Sequence, residues 1–196
     1  LYHFKADGTL VRRVTSGKWE VRSLYGVDEA GGWIYFGGTE RSHIGGDIYR
    51  VKLDGTGLTR LSQAPGTHNA NFNPSFSLYI GTWSDITTPT QTRLHKADGS
   101  EVRVVEKNDV PALAQYTRSK PEFVQVKTRD GFVMEAVMIK PPDFDPKKKY
   151  PMIVYIYERL SQGLHQFRNP GPGTSINPTF YVSNGYLVYM PDIVYT

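Results

Sequence analysis

The sequence predicts two architectures in succession, the last blades of a β-propeller (all-β) followed by the opening part of an α/β-hydrolase domain. Three observations carry this. A K-x-D-G turn recurs at a blade-sized spacing, the repeat stops near Pro111 to Pro121, and two nearly continuous apolar runs follow that stop.

The repeat comes first in the chain. Lys5-Ala6-Asp7-Gly8, Lys52-Leu53-Asp54-Gly55 and Lys96-Ala97-Asp98-Gly99 lie 47 and then 44 residues apart. Asp-Gly between strand-like segments signals a hairpin, because glycine adopts positive φ without a steric penalty. The flanks of the first two turns align, Leu1-Tyr2-His3-Phe4 with Ile48-Tyr49-Arg50-Val51 before the turn, and Val11 and Val14 with Leu58 and Leu61 after it. Val21 to Val27 and Trp33 to Gly37 add two strands to the first period, and Leu78 to Ser84 adds one to the second. Four strands per ~45 residues is the arithmetic of a propeller blade. Residues 1–118 are therefore read as about two and a half blades.

Residues 119–196 read differently. Ala112 to Tyr116 forms a short helical or irregular connector, and Phe123 to Lys127 and Phe132 to Ile139 flank a further Asp-Gly hairpin at Thr128-Arg129-Asp130-Gly131. Met152 to Tyr157 and Tyr186 to Met190 lack polar alternation, the pattern of strands buried on both faces of a mainly parallel sheet. The 28 residues between them allow a crossover, rich in Gly and Pro at Asn169 to Gly173, with a short helix from Pro178 to Asn184 ending at Gly185.

Composition supports a β-rich globular chain. Of 196 residues, 39% are hydrophobic and 13% aromatic, with 19 Gly and 13 Pro to punctuate strands. The formal net charge of +4 comes from scattered residues, and the one basic run, Lys147-Lys148-Lys149, follows a Pro- and Asp-rich turn segment. It reads as a solvated loop, which argues against a nucleic-acid partner. Without cysteine there is neither a disulfide framework nor thiolate chemistry. No apolar stretch approaches the ~18 residues of a membrane span, and the chain opens at Leu1 inside a strand-like segment, so it is read as an internal fragment.

The residues then resemble a family. Gly17-Lys18-Trp19-Glu20-Val21, Gly26-Val27-Asp28, Ile34-Tyr35-Phe36 and Asp47-Ile48-Tyr49-Arg50-Val51 resemble late propeller blades of dipeptidyl peptidase IV-like peptidases, within the prolyl oligopeptidase family. Leu58 to Ser62, Gly66 to Phe72, Pro74, Trp83-Ser84 and Pro89 look like that family's closing blade, and Pro121 to Pro151 looks like its entry into the hydrolase domain. The resemblance implies a serine exopeptidase that removes dipeptides from peptide N-termini, using a Ser-Asp-His triad, no cofactor and a propeller that screens access. It favours a periplasmic or secreted setting and is compatible with a homodimer of the parent protein.

The triad falls outside the chain on this reading. No G-x-S-x-G elbow occurs, and Ser42, Ser161 and Ser175 lack flanking glycines. Tyr157 matches the tyrosine that, in the family, donates its hydroxyl to the oxyanion of the tetrahedral intermediate. The family's Gly-Gly-Pro after that tyrosine is replaced by Glu158-Arg159-Leu160, and its Asp-x-Arg-Gly after the next strand by Pro191-Asp192-Ile193-Val194, as in a divergent, bacterial-type member. A non-catalytic peptide-binding homologue and an acylaminoacyl or prolyl endopeptidase of the same superfamily are the alternatives.

Other constellations carry less. His3, His43, His68, His95 and His165 show no metal-ligand spacing and read as structural or surface residues. Asp7, Asp28, Asp54, Asp98, Asp143 and Asp145 fall in turns, where local backbone bonding explains them. Gly171-Pro172-Gly173 is no phosphate loop, and Asn73-Pro74-Ser75 and Asn177-Pro178-Thr179 carry proline where glycosylation forbids it.

Overall fold

A computed structural model describes residues 1–156, 165–167 and 177–191, and they form β-sheets with one short helix. Strands β1 (Tyr2–Phe4) and β2 (Leu10–Arg13) make a hairpin. Strands β3 (Val21–Asp28), β4 (Trp33–Gly38), β5 (Asp47–Lys52) and β6 (Thr59–Arg60) form an antiparallel sheet in chain order. Strands β7 (Thr67–Phe72), β8 (Leu78–Ser84), β9 (Gln91–Lys96) and β10 (Glu101–Glu106) form a second such sheet. Two, four and four antiparallel strands make a propeller-like succession.

The recurring turn has one structure each time. Gly8, Gly55 and Gly99 sit at φ of 84°, 86° and 91°, closing a turn in which the glycine N–H returns to the lysine carbonyl at 2.8–3.0 Å. Asp7, Asp54 and Asp98 each accept the N–H two residues on, from Thr9, Thr56 and Ser100, at 2.8–2.9 Å. A side chain at the glycine position would be strained, and aspartate there satisfies a loop donor, so the motif repeats because the hairpin repeats. The turn at Thr128 to Gly131 is the same device.

The blade β3–β6 is buried on both faces at its centre. Ile34, Phe36, Tyr49 and Val51 point to one side with Val14, and Trp19 stacks on Phe36 and Tyr49 at 5.9 and 6.1 Å between ring centres. Tyr35 and Ile48 point to the other, where they meet Leu61 and, from the next blade, Tyr79, Phe72 and Phe76. That period-2 division is what alternating apolar residues in a sandwiched strand produce. The strand β7 was missing from the repeat arithmetic, since T-H-N-A-N-F is polar and only the pairing with β8 reveals it. The strand after the second turn is also shorter than its aligned leucines imply: β6 holds two residues, and Leu61 follows it, still bonded to Ile48.

After a 3-10 turn at Pro111–Gln115, strands β11 (Glu122–Lys127) and β12 (Val133–Ile139) pair across the fourth Asp-Gly turn. Strand β13 (Met152–Val154), helix α1 (Pro178–Ser183) and strand β14 (Leu187–Pro191) complete a sheet in the order β11-β12-β14-β13. Strand β14 runs antiparallel to β12 and parallel to β13. Helix α1 starts where predicted because Asn177 caps the Phe180 N–H and proline occupies its first turn, and Gly185 leaves it at φ 81°.

Burial in this sheet is uneven among the described residues. Val188 of β14 is fully buried, but Met152, Val154 and Ile156 are about half exposed, at 51%, 46% and 59%. Strand β13 pairs with β14 among the described residues, and exposed Met152 and Val154 alternate with half-buried Ile153. An apolar run reports suitability for burial, not the strand's place in the sheet. No helix of the described residues is long and apolar enough to cross a membrane.

Candidate functional site

The parallel pair β13 and β14 aims two strand ends the same way. Leu187 N–H bonds to Pro151 O at 2.9 Å before the pair, and Tyr155 N–H bonds to Tyr189 O at 2.8 Å after it. In sheets with parallel strands, reacting groups gather beyond the carboxyl ends. Tyr157 follows the carboxyl end of β13 by three residues, but it lies outside the described residues, as do Glu158-Arg159-Leu160, Asn169 to Gly173, Asp192 to Val194, Ser161 and Ser175.

Beside that end, loops of the blades meet the sheet. Ile44 and Val137 are buried against each other, with Ile86, Phe123, Ile139 and Met190 packed around them. His165 closes this seam: its N–H donates to Ile44 O at 3.0 Å, its carbonyl accepts from the Thr67 hydroxyl at 3.1 Å, and its ring meets Phe123 edge-on at 4.8 Å. Burial holds the His165 imidazole below its ordinary pKa, with the Asp85 carboxylate pulling the other way. The sequence reads His165 as a structural or solvent-facing histidine, and its described contacts are structural.

Close approach explains the glycines here. A Cβ on Gly45 would sit 2.5 Å from Gly66 O, so Gly45 lets the loop after β4 lie on the loop before β7. The two then bond through Gly46 N–H to Gly66 O and His68 N–H to Gly46 O, at 3.1 and 2.8 Å.

Behind the seam lies a polar cluster that sequence reasoning missed. Asp47 is 1% exposed and pairs with the Arg41 guanidinium at 2.9 Å, while Ser62 Oγ donates to it at 2.5 Å. Arg41 also donates to the carbonyls of Gln63 and Ala64 at 2.9 and 2.7 Å, and Ile48 N–H donates to Ser62 Oγ. Such a buried charge persists only when its partners are all in place. The cluster holds two loops together and leaves no group poised to react. Nearby, Tyr49 OH accepts the Arg41 N–H, and burial pushes its hydroxyl pKa up to about 12. His68 bonds Ala64 O at 2.8 Å, and burial lowers its pKa.

No group of metal-binding side chains occurs among the described residues, and Ser42 sits in the loop beside Arg41. The turn aspartates do what the sequence assigns them: Asp28 accepts the Gly31 N–H, and Asp145 the Lys147 N–H in the basic loop.

Sheets of this kind define a β-propeller-like protein. The chain matches the model of the dipeptidyl peptidase IV N-terminal region over residues 1–90. A probable dipeptidyl-aminopeptidase B of Neosartorya fischeri is 30% identical over 163 residues, covering 80% of this chain and 18% of the relative. One from Aspergillus clavatus is 30% identical over 195 residues, covering 91% of this chain and 20% of the relative. The crystal structure of Porphyromonas gingivalis dipeptidyl peptidase 4 superposes with a TM-score of 0.83 at 32% identity, over 97% of this chain and 27% of that one. The chain belongs to the dipeptidyl peptidase IV-like family, and it spans about a fifth of the curated relatives it matches.

Proposed function

We propose that the chain is the junction of propeller and hydrolase domain in a dipeptidyl-peptidase-like serine peptidase, residues 1–118 forming blades and residues 119–196 opening the α/β-hydrolase domain. The observation that carries this is the sheet order β11-β12-β14-β13, an antiparallel hairpin leading into the parallel pair β13 and β14, directly after blade-type sheets.

The chemistry is acyl transfer from a peptide. A serine elsewhere in the parent protein attacks the scissile carbonyl, a histidine takes its proton, and negative charge develops on the carbonyl oxygen. Tyr157, beyond the carboxyl end of β13, supplies a hydroxyl to that oxygen. A donor of this kind stabilises charge that exists only near the transition state, so its loss lowers kcat far more than it raises KM. The blades screen the site, and the seam at Ile44 and Val137 fixes them to the sheet.

Kinetics on the full-length protein containing this chain test the reading. With a chromogenic dipeptidyl substrate, Tyr157→Phe is expected to lower kcat about 100- to 1000-fold with little change in KM. Unchanged turnover removes the oxyanion role. Homodimerisation of the parent is a further proposal, tested by its mass in solution.

Glu158-Arg159-Leu160 in place of the family's glycines favours a second reading, a peptide-binding homologue without turnover. An endopeptidase of the same superfamily differs in accepting substrates with blocked N-termini.

A further inference from the structure

The 47-residue repeat of the first two Asp-Gly turns extends past the turns themselves. Leu1 and Val14 occupy the positions of Ile48 and Leu61, and both pairs are joined alike. Val14 N–H bonds to Leu1 O at 2.9 Å, and Leu61 N–H bonds to Ile48 O at 2.8 Å. The cross-strand register repeats as well, with Tyr2 opposite Arg13 as Tyr49 is opposite Arg60.

In both places where one blade follows another, the turn glycine sits on this aliphatic position. A Cβ on Gly55 would come within 3.0 Å of Val14 O, and one on Gly99 within 2.8 Å of Leu61 O. Side chains add to both seats, since Arg12 donates to Asp54 O at 3.0 Å and Arg50 to Ala97 O at 3.5 Å. Glycine is therefore required twice over, by a positive φ and by a backbone too close for a side chain. Gly8 shares the φ, at 84°, yet a Cβ there would meet nothing within 4 Å among the described residues. The face beside Gly8 is uncovered too. Tyr49 and Val51, the equivalents of Tyr2 and Phe4, are 1% and 0% exposed in the cluster with Val14 and Trp19, whereas Tyr2 and Phe4 are 57% and 54% exposed.

We propose that the hairpin β1–β2 docks, through Tyr2, Phe4 and the Gly8 turn, onto the end of the last strand of a further blade-type sheet in the same polypeptide. The repeat specifies the occupant: a backbone carbonyl at an aliphatic residue placed after its own turn as Val14 and Leu61 are after theirs. This contact is already made twice within one chain, and the chain covers 18% and 20% of its curated relatives, which leaves room in a full-length protein of their kind for another blade. Within residues 1–196 the remaining member of the series is Val105, which is 48% exposed. A second copy using Val105 would join head to tail, a contact that builds rings or filaments.

Photo-crosslinking in the full-length protein identifies the occupant. With p-benzoylphenylalanine in place of Phe4, irradiation should give an adduct within the monomer. Peptide mass spectrometry should map it to a position equivalent to Val14 and Leu61 in a sheet that is not among residues 1–196. No adduct, an adduct confined to residues 1–196, or a crosslinked dimer joined near Val105 overturns the proposal.

Alanine substitutions supply an independent readout. Gly32, in the turn between β3 and β4, has φ 73° and nothing within 4 Å of a Cβ among the described residues, so it is the control for backbone strain alone. Alanine at Gly55 or Gly99 adds a clash to that strain. In the full-length protein Gly8→Ala should lower the unfolding midpoint as far as Gly55→Ala and Gly99→Ala do, roughly twice the shift of Gly32→Ala. A Gly8→Ala shift no larger than that of Gly32→Ala overturns the docking. Should Gly55→Ala or Gly99→Ala fail to fold, the comparison of Gly8→Ala with Gly32→Ala still decides, and the crosslink depends on neither.

Discussion

The blade β3–β6 and the sheet β11-β12-β14-β13 have four strands each, yet they distribute burial differently. In the blade, the central strands are packed from both sides, by Trp19 and Val14 on one face and by Tyr79 and Phe72 on the other. In the sheet, burial concentrates on Ala136, Val137 and Val188 of β12 and β14, while β13 presents Met152, Val154 and Ile156 outward. Among the described residues, β13 is bonded to β14. The seam, where His165, Ile44 and Thr67 meet, is the described contact between this sheet and the blades.

The largest effect should come from the blade. Phe36 is fully buried and packs against both Trp19 and Tyr49, so Phe36→Ala should destabilise by about 3–5 kcal/mol, read from the unfolding midpoint. A loss below about 1 kcal/mol would mean that the two-sided packing is not realised.

A smaller effect should follow pH. Burial lowers the pKa of both His68 and His165, the first in the loop contact between blades and the second in the seam. The folded state keeps both neutral, whereas the unfolded chain takes up protons as pH falls below the ordinary value of 6.5. The unfolded state then binds more protons, so the stabilisation is complete above that value and is lost as pH falls through the lowered pKa values. Asp47 and Arg41 act on both histidines, Asp85 on His165 and His95 on His68, so the control is His68→Gln with His165→Gln. The unfolding midpoint should fall between about pH 7 and pH 5, and the double variant should flatten that slope. A flat profile in the unaltered protein would contradict the burial of these rings.

The smallest effect should be on the exposed face of β13. Val154→Ala should cost less than about 1 kcal/mol, because the side chain is half exposed and leaves little cavity. A cost equal to that of Phe36→Ala would show that another element covers this face.

How much of this was legible in the sequence depends on the range of the interaction. The Asp-Gly hairpins, the break at Pro111 and the helix ending at Gly185 are local, set by φ, capping and turn bonding, and they appear where the residues predict them. The cluster of Arg41, Asp47 and Ser62 was not legible, since a charge at the head of an apolar strand gives no sign of its partner 15 residues on. His165 was legible only as structural, because its partners Ile44, Thr67 and Phe123 come from three distant segments. The order of β13 and β14 in the sheet is not legible either, because hydrophobic continuity carries no information about which strands are neighbours.

The proposal at stake is that this chain is part of a serine peptidase whose nucleophile is none of the serines within residues 1–196. Labelling the full-length protein with a fluorophosphonate probe, followed by mapping of the modified peptide, tests it most directly. The account predicts one modified serine, on a G-x-S-x-G elbow of the full-length protein. No adduct on the folded protein, or an adduct on a serine within residues 1–196, would contradict it.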